Sequence, residues 1–467
     1  MPHKLLIDGQ LVDGAEQMEI LNPATGALLE HAPRANADQA EQAAGAARRA
    51  FPVWAALSYD ARRVYLERLA GAIEARIDEF SRLLTLEQGK PLDQAKWEMM
   101  SAVGALSYYA QQKLEPKLLR ETESERIVEQ RQPLGVVAAI TPWNFPVALL
   151  MLKMAPALIT GNTVIAKPAP STPLTTLLLG EVAADILPAG VFQTLVDRND
   201  LGALLSTHPH VAHVSFTGST PTGKKVLSSA SDTLKRFTLE LGGNDAAIIL
   251  DDAEVDRVAP AIFQGAMANS GQICLAIKRV YAPRDMVDPL CAALAKLARE
   301  AVVGDGLEQG TTIGPIQNKA QLEKLLGYIE EARSAGTIVA GGAPSESEGY
   351  FSGVTIVRDL PDDARLVREE QFGPILPVLA YDDLDDAIAR ANDSEYGLGG
   401  TVWTSDVERG IAVASRIDSG TVWVNKHLDL PLDVPFGGAK QSGIGRQQGI
   451  EGLEDFTQPR IVNAALA

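Results

Sequence analysis

The sequence predicts a mixed α/β chain whose first half is a doubly wound, mainly parallel sheet. Two observations carry this. Short apolar runs recur at 134–140 (LGVVAAI), 162–167 (NTVIAK), 191–196 (VFQTLV) and 211–216 (VAHVSF), none of them alternating with polar residues. Runs of that kind suit strands covered on both faces. Between them lie segments of helical pattern, which suit right-handed β-α-β crossovers. Sheets of this class take ligands at the carboxyl ends of their strands.

The remaining segments follow in chain order. Residues 36–115 read as helices, because segments such as YDARRVYLERLAGAIEARIDEF repeat apolar positions every three and four residues. Residues 116–133 are polar, with a short alternation at RIVEQ, and read as an exposed ribbon. After Gly242 a second α/β stretch begins. Its strand candidates are DAAIIL, RVYAP, TIVAGG, ILPVLAY and GTVWVN, with helical patterns such as QLEKLLGYIEEARSAG between them.

The chain has 467 residues and 46% hydrophobic composition, enough for two or three domains. A net charge of −18 without a basic stripe argues against a nucleic-acid partner and against an anionic membrane surface. The N-terminus MPHKLLIDGQ lacks a basic flank followed by a long apolar core, so no signal peptide is expected. The apolar stretch from Phe145 to Thr160 is broken by Pro146, Lys153 and Pro156 and is too short to span a bilayer. Two cysteines in so long a chain make no disulfide framework, and a reducing cytoplasm is the expected location.

Several clusters carry chemistry. Gly218, Gly223 and Lys224 fit the spacing of a triphosphate loop, but Lys225 stands where a magnesium-binding hydroxyl is needed. The simpler reading is a helix N-terminus at Gly218 and Ser219 that faces an anion without metal. His208, His210 and His213 lack a cysteine or carboxylate at ligand spacing and read as loop and strand, so no metal site is expected. Cys274 sits among loop formers, Asn269 to Gln272, with Lys278 and Arg279 close behind. It is either a small buried hydrophobe or a nucleophile. Cys291 lies in a helical apolar pattern and reads as core. Glu240 ends a strand beside Gly242 and Gly243 and is a candidate general base. Asn144 follows the first buried strand, where its amide could donate to an oxyanion.

Taken together, NPATG, EQGKP, TPWNFP, GNTVIAKP, FTGS, ELGGN, GQIC, GPI, EEQFGP and PFGGAKQSGIGR resemble, in order and over essentially the whole chain, the aldehyde dehydrogenase superfamily. The resemblance implies oxidation of a small-molecule aldehyde to the acid with NAD or NADP. Cys274 would be the nucleophile, Asn144 and the Cys274 N–H the oxyanion donors, and Glu240 the base that activates water. Lys167 would bind the adenosine ribose, Trp143 and Ser219 the pyrophosphate region, and Glu370 and Phe372 the nicotinamide ribose and ring. Thr141, Gly218 and Leu241 complete the implied cofactor contacts.

The resemblance also implies a Rossmann-like dinucleotide-binding domain (1–115 and 134–241), a catalytic domain (242–445) and a small β oligomerisation element (116–133 with 456–467). A homodimer or homotetramer is expected from that element. Leu149, Leu152, Ile273, Leu275, Leu430 and Phe436 are the candidate pocket residues. Most are apolar and favour an aliphatic or aromatic aldehyde. Lys426 and His427 lie nearby in sequence and leave a semialdehyde open, and a coenzyme-A acylating reaction is a further alternative. Three departures stand out. Pro170 occupies a place where relatives often carry Glu, Gln447 replaces a frequent Glu, and LVDRND lacks a frequent glycine. With Pro170 there and Lys167 retained, discrimination between NAD and NADP is expected to be modest, under about 100-fold.

Overall fold

The computed structural model describes residues 3–229, 233–343 and 348–466. Of the segments singled out from sequence, the first two residues of the N-terminus and the last residue of the expected oligomerisation tail lie outside these.

The first sheet has six strands in the order Gly443–Ile444, Arg236–Glu240, Val211–Thr217, Val136–Ile140, Thr163–Lys167 and Phe192–Thr194. All pair in parallel except Gly443–Ile444, which adds antiparallel to Arg236–Glu240. The four apolar runs read from sequence therefore form its centre and one edge. Their lack of alternation has a plain cause. Val137, Ala139, Val164 and Ala166 face one hydrophobic cluster, while Val136, Ala138, Ile140 and Ile165 face another. Successive side chains still point to opposite faces, but both faces are covered.

The helical region 36–115 resolves into Ala37–Ala55, Tyr59–Glu74, Ile77–Gln88 and Leu92–Ala110. Local chemistry sets the boundaries. Asn36 and Gln39 make a reciprocal capping box at the first. Ser58 accepts from the Ala61 N–H at the second. Gly89 ends the third in the left-handed conformation, at φ 98°. The last three of these helices pack with Pro146–Ile159 on one sheet face, and Ala37–Ala55 lies on the other.

Two N-terminal hairpins, Leu5–Ile7 with Gln10–Val12 and Glu16–Leu21 with Leu28–Arg34, were not expected from sequence. The first is tied to the sheet by side chains of its edge strand. Leu6 N–H donates to Thr194 Oγ1 and Asp8 N–H to Gln193 Oε1, each at 2.8 Å.

The second sheet has seven strands in the order Thr337–Ala340, Thr355–Arg358, Ile375–Tyr381, Ile277–Pro283, Asp245–Ile249, Gly399–Trp403 and Thr421–Val424. Only Thr337–Ala340 is antiparallel to its neighbour. Two of these strands escape the sequence pattern. Thr355–Arg358 is four residues long. Gly399–Trp403 opens on two glycines, which weaken a strand. The structure shows why a glycine stands at 399: its N–H donates to the buried Asp245 carboxylate at 3.1 Å, and a Cβ would collide with that carboxylate.

The ribbon and the tail meet. Thr457–Ala465 pairs antiparallel with Glu125–Pro133, which pairs with Lys117–Glu121. Leu118, Leu119, Ile461 and Val462 are exposed on this small sheet. Among the described residues no helix is long and apolar enough to cross a membrane.

One buried side chain joins distant parts of the chain. The Asn162 amide oxygen accepts from Gly135 N–H at 2.9 Å, and its nitrogen donates to Phe456 O at 3.0 Å and Thr160 Oγ1 at 2.9 Å. Asn162→Ala leaves a buried donor and a buried acceptor unpaired, at a cost of roughly 2–4 kcal/mol. A clear drop in the thermal unfolding midpoint is expected, and an unchanged midpoint would show that these groups find other partners.

Candidate active site

The turn after Val136–Ile140 presents Thr141, Trp143 and Asn144, and Pro146 begins the next helix, where a missing N–H costs nothing. Beneath this turn lies a fully buried ion pair, Lys90 Nζ to Glu98 Oε2 at 2.5 Å. The other Glu98 oxygen accepts from the Val147 and Ala148 N–H groups at 3.1 and 3.2 Å, the free donors of the helix start. Lys90 also donates to the Asn144 carbonyl at 2.8 Å and sits 3.7 Å above the Phe145 ring. The Asn144 backbone is thus held from below. Its side-chain nitrogen donates to Gln272 O at 2.9 Å, two residues before Cys274.

Cys274 follows a strained loop. Asn269, Ser270 and Gly271 have φ of 49°, 57° and 71°, three consecutive left-handed residues. Gly271 is required there twice over, since a Cβ would also strike the Gly373 carbonyl. Side chains pin the loop. Gln272 Oε1 accepts from Gln317 N–H at 2.9 Å, Asn269 Nδ2 donates to Asn144 O at 3.1 Å, and Lys278 Nζ donates to Ile273 O at 2.6 Å. Cys274 is half-buried and Cys291 buried, the latter within the helix Arg284–Glu300. Burial pushes the Cys274 thiol up to about 12, the charges of Glu370, Asp245 and Glu240 push the same way, and Lys278 opposes them. In this arrangement the sulfur is a thiol and must lose its proton to react.

Glu240 closes the strand Arg236–Glu240 and is buried with neither carboxyl oxygen hydrogen-bonded. Burial pushes its carboxyl up to about 8, with Lys153 and Arg446 pulling it down. Lys153 is the partner that sequence reading missed. It was visible only as a charge interrupting an apolar helix, and that interruption was the signal. Lys153 is fully buried, its ammonium is pushed down to about 7 by burial, and its Nζ donates to Ser215 Oγ at 3.3 Å. Gln447 is buried in the chain's C-terminal segment. Its backbone exchanges two 2.7 Å bonds with Phe436, and its side-chain nitrogen has no partner.

The expected cofactor residues gather at the carboxyl ends of the first sheet. Ser219 is exposed at the start of the ten-residue helix Thr220–Ser229. Lys224 and Lys225 are exposed on that helix, and Gly223 lies under the Leu241 side chain with no room for a Cβ. Gly218 N–H is spent on Glu240 O at 3.0 Å. The Lys167 ammonium lies 2.6 Å from the buried Asp197 carboxylate. The buried Thr141 hydroxyl has no partner. Glu370 accepts from Gly243 N–H at 3.0 Å, and Phe372 meets Trp143 edge to face, centroids 5.3 Å apart. An open helix start, an unpaired hydroxyl and a lysine–carboxylate pair along one edge fit a dinucleotide.

Four of the six candidate pocket residues come together. Ile273, Leu275, Leu430 and Phe436 share a cluster with Cys274, Trp423, Phe145 and Leu428, the last three not anticipated. Leu152 packs instead with the first-sheet cluster, and Leu149 is half-buried outside both. Neither Lys426 nor His427 is free. Lys426 pairs with Asp429 at 2.5 Å, and His427 lies 2.6 Å from the Leu275 carbonyl. Burial pushes His427 down to about 4, so it is neutral at pH 7. Of the three clustered histidines, His208 pairs with Glu41 and His213 stacks on Phe456.

A half-buried loop thiol, an amide donor held against the same loop and an unpaired buried carboxyl are side chains that could carry covalent and acid–base chemistry. Comparison with known proteins identifies the family. The aldehyde dehydrogenase family model matches residues 11–462. A putative aldehyde dehydrogenase of Gibberella fujikuroi is 39% identical over 97% of both chains. A betaine aldehyde dehydrogenase of Rhizobium leguminosarum is 38% identical over 98% of this chain and 96% of its own. The NAD+ complex of a Bacillus cereus aldehyde dehydrogenase superposes with a TM-score of 0.97 at 36% identity, covering 100% of this chain and 97% of that one. An Escherichia coli NADP-dependent enzyme gives the same TM-score at 35% identity, covering 100% and 98%. The chain belongs to the aldehyde dehydrogenase family.

Proposed function

We propose that this aldehyde-oxidising enzyme acts on an apolar aliphatic or aromatic aldehyde with a nicotinamide dinucleotide, through covalent attachment to Cys274. The observation that carries the reading is the Asn144–Gln272 contact, which brings an amide donor to the loop that carries the only half-exposed cysteine. The Cys274 proton leaves to solvent, which the half-buried sulfur can reach, as the thiolate forms. The sulfur then bonds to the aldehyde carbon, and the C=O π pair moves onto oxygen. The second Asn144 side-chain hydrogen and the Cys274 N–H hold that oxyanion. A bound nicotinamide would supply the acceptor for the hydride that leaves this tetrahedral carbon. What remains on Cys274 is a thioester. Glu240 takes a proton from water, the water oxygen bonds to the acyl carbon, and the sulfur leaves as the acid forms. The apolar cluster around Cys274 receives the substrate tail, and Lys426 and His427 are both engaged, with Asp429 and the Leu275 carbonyl, rather than free to pair with an acidic one.

We further propose that 1–115 with 134–241 works as the cofactor unit and 242–445 as the catalytic unit, with the sheet of Lys117–Glu121, Glu125–Pro133 and Thr457–Ala465 joining copies of the chain. Its exposed Leu118, Leu119, Ile461 and Val462 support this. Light scattering at micromolar concentration should give a dimer or tetramer, and a monomer would refute the assignment.

Cys274→Ala is expected to abolish reduction of the cofactor by any aldehyde, while Cys291→Ala keeps most of it. Substantial turnover by the first variant would end the covalent reading. Glu240→Gln should slow hydrolysis about 10²–10⁴-fold. A burst of reduced cofactor then precedes a slow steady rate. In the wild type the steady rate should rise with pH through about 8, where the Glu240 carboxyl ionises. A Gln variant with the wild-type steady rate would exclude Glu240 as the required base.

A further inference from the structure

Pro170 takes a carboxylate away from the adenosine end of the site, but the structure supplies one from the neighbouring strand end. Strands Thr163–Lys167 and Phe192–Thr194 are adjacent and parallel, so both chains leave the sheet at the same edge. Lys167 Nζ lies 2.6 Å from Asp197 Oδ1, and the two side chains are 4% and 0% exposed. The other Asp197 oxygen accepts from Leu201 N–H at 2.8 Å, which stops the carboxylate from turning away. The turn then runs to the surface at Arg198 and Asn199.

We propose that Asp197 determines which dinucleotide the enzyme accepts, favouring the unphosphorylated adenosine ribose of NAD+ over the 2′-phosphate of NADP+. This rests on the assignment of Lys167 to that ribose. A lone lysine at such a place attracts a 2′-phosphate as a point charge. Here its charge is already compensated by a fixed carboxylate in a water-poor setting, where like charges repel strongly. A phosphate with nearly two negative charges gains little from Lys167 and is opposed by Asp197. A ribose diol carries no charge, and the remaining lysine N–H groups can still donate to it. Asp197 need not touch the ribose. It acts through Lys167 and through its own field, so it is a selectivity residue and not a catalytic one. Arg198 is the competing cation on the same turn. Its side chain is exposed to solvent, which weakens its pull on an anion.

The test is isothermal titration of the full chain with NAD+, NADP+, ADP and 2′,5′-ADP, none of which needs turnover. The wild type should bind NAD+ over NADP+, and ADP over 2′,5′-ADP, by more than about 30-fold, as charge-based ribose selection requires. Ratios below that overturn the proposal without any variant. Asp197→Asn keeps an oxygen for the Leu201 N–H while removing the charge, and Asp197→Ser is the second variant should the first fail to fold. Either should lower both ratios at least about tenfold, mainly by tightening the phosphorylated ligand. A folded variant with wild-type ratios overturns the role of Asp197. Lys167→Ala separates the two layers. If it weakens all four ligands while Asp197→Asn changes no ratio, only the selectivity proposal fails. If it changes none of them, the ribose assignment fails and the selectivity proposal falls with it.

Discussion

The buried pair of Lys90 and Glu98 is the interaction on which the site's geometry depends. It joins the turn that follows the helix Ile77–Gln88, the helix Leu92–Ala110, the start of the helix Pro146–Ile159 and the turn that presents Asn144. A buried pair adds little net stability, because desolvation offsets most of the attraction. Its value here is directional. The Glu98 carboxylate fits only where helix N–H groups are free, and Lys90 fits only where a carbonyl is left over. Placing both fixes the turn to within a hydrogen bond's tolerance. From that turn the Asn144 carbonyl receives Asn269 and its amide reaches Gln272, so the nucleophile loop is positioned against the same anchor.

Glu240 and Lys153, beside the proposed reaction centre, share one property: burial moves each toward neutrality. Glu240 goes up, Lys153 comes down, and both arrive within about one unit of pH 7–8. Groups in that range exchange protons with little driving force in either direction. That suits a base which must take a proton and then release it in every cycle. The thiol goes up as well, so the sulfur reacts only when its neighbourhood accepts the proton.

Much of this was legible in the sequence. The first-sheet strands announced themselves because both faces are buried, and apolar runs need no alternation there. Cys274, Glu240 and Asn144, the residues proposed to react, stood out because each occupies a context its residue type does not need for packing. What sequence missed has common causes. Gly399–Trp403 was hidden because its glycine answers to the Asp245 carboxylate rather than to strand propensity. Lys153 and Asp197 were hidden because their meaning lies in partners 62 and 30 residues away, Ser215 and Lys167. The proposed pocket was partly legible: Ile273, Leu275, Leu430 and Phe436 cluster with Cys274, whereas Leu149 and Leu152 lie on a helix whose rotation only the fold decides.

The two-residue strand Gly443–Ile444 completes the edge of the first sheet beside Glu240. This has a consequence for how the chain is made. During synthesis, Arg236–Glu240 emerges about 200 residues before its edge partner. At about 5–20 residues per second that edge stays open for roughly 10–40 s. The carboxylate at its end is therefore set in its final surroundings only when the protein is nearly finished. Until that partner arrives, the open edge of Arg236–Glu240 is available for pairing with a wrong strand.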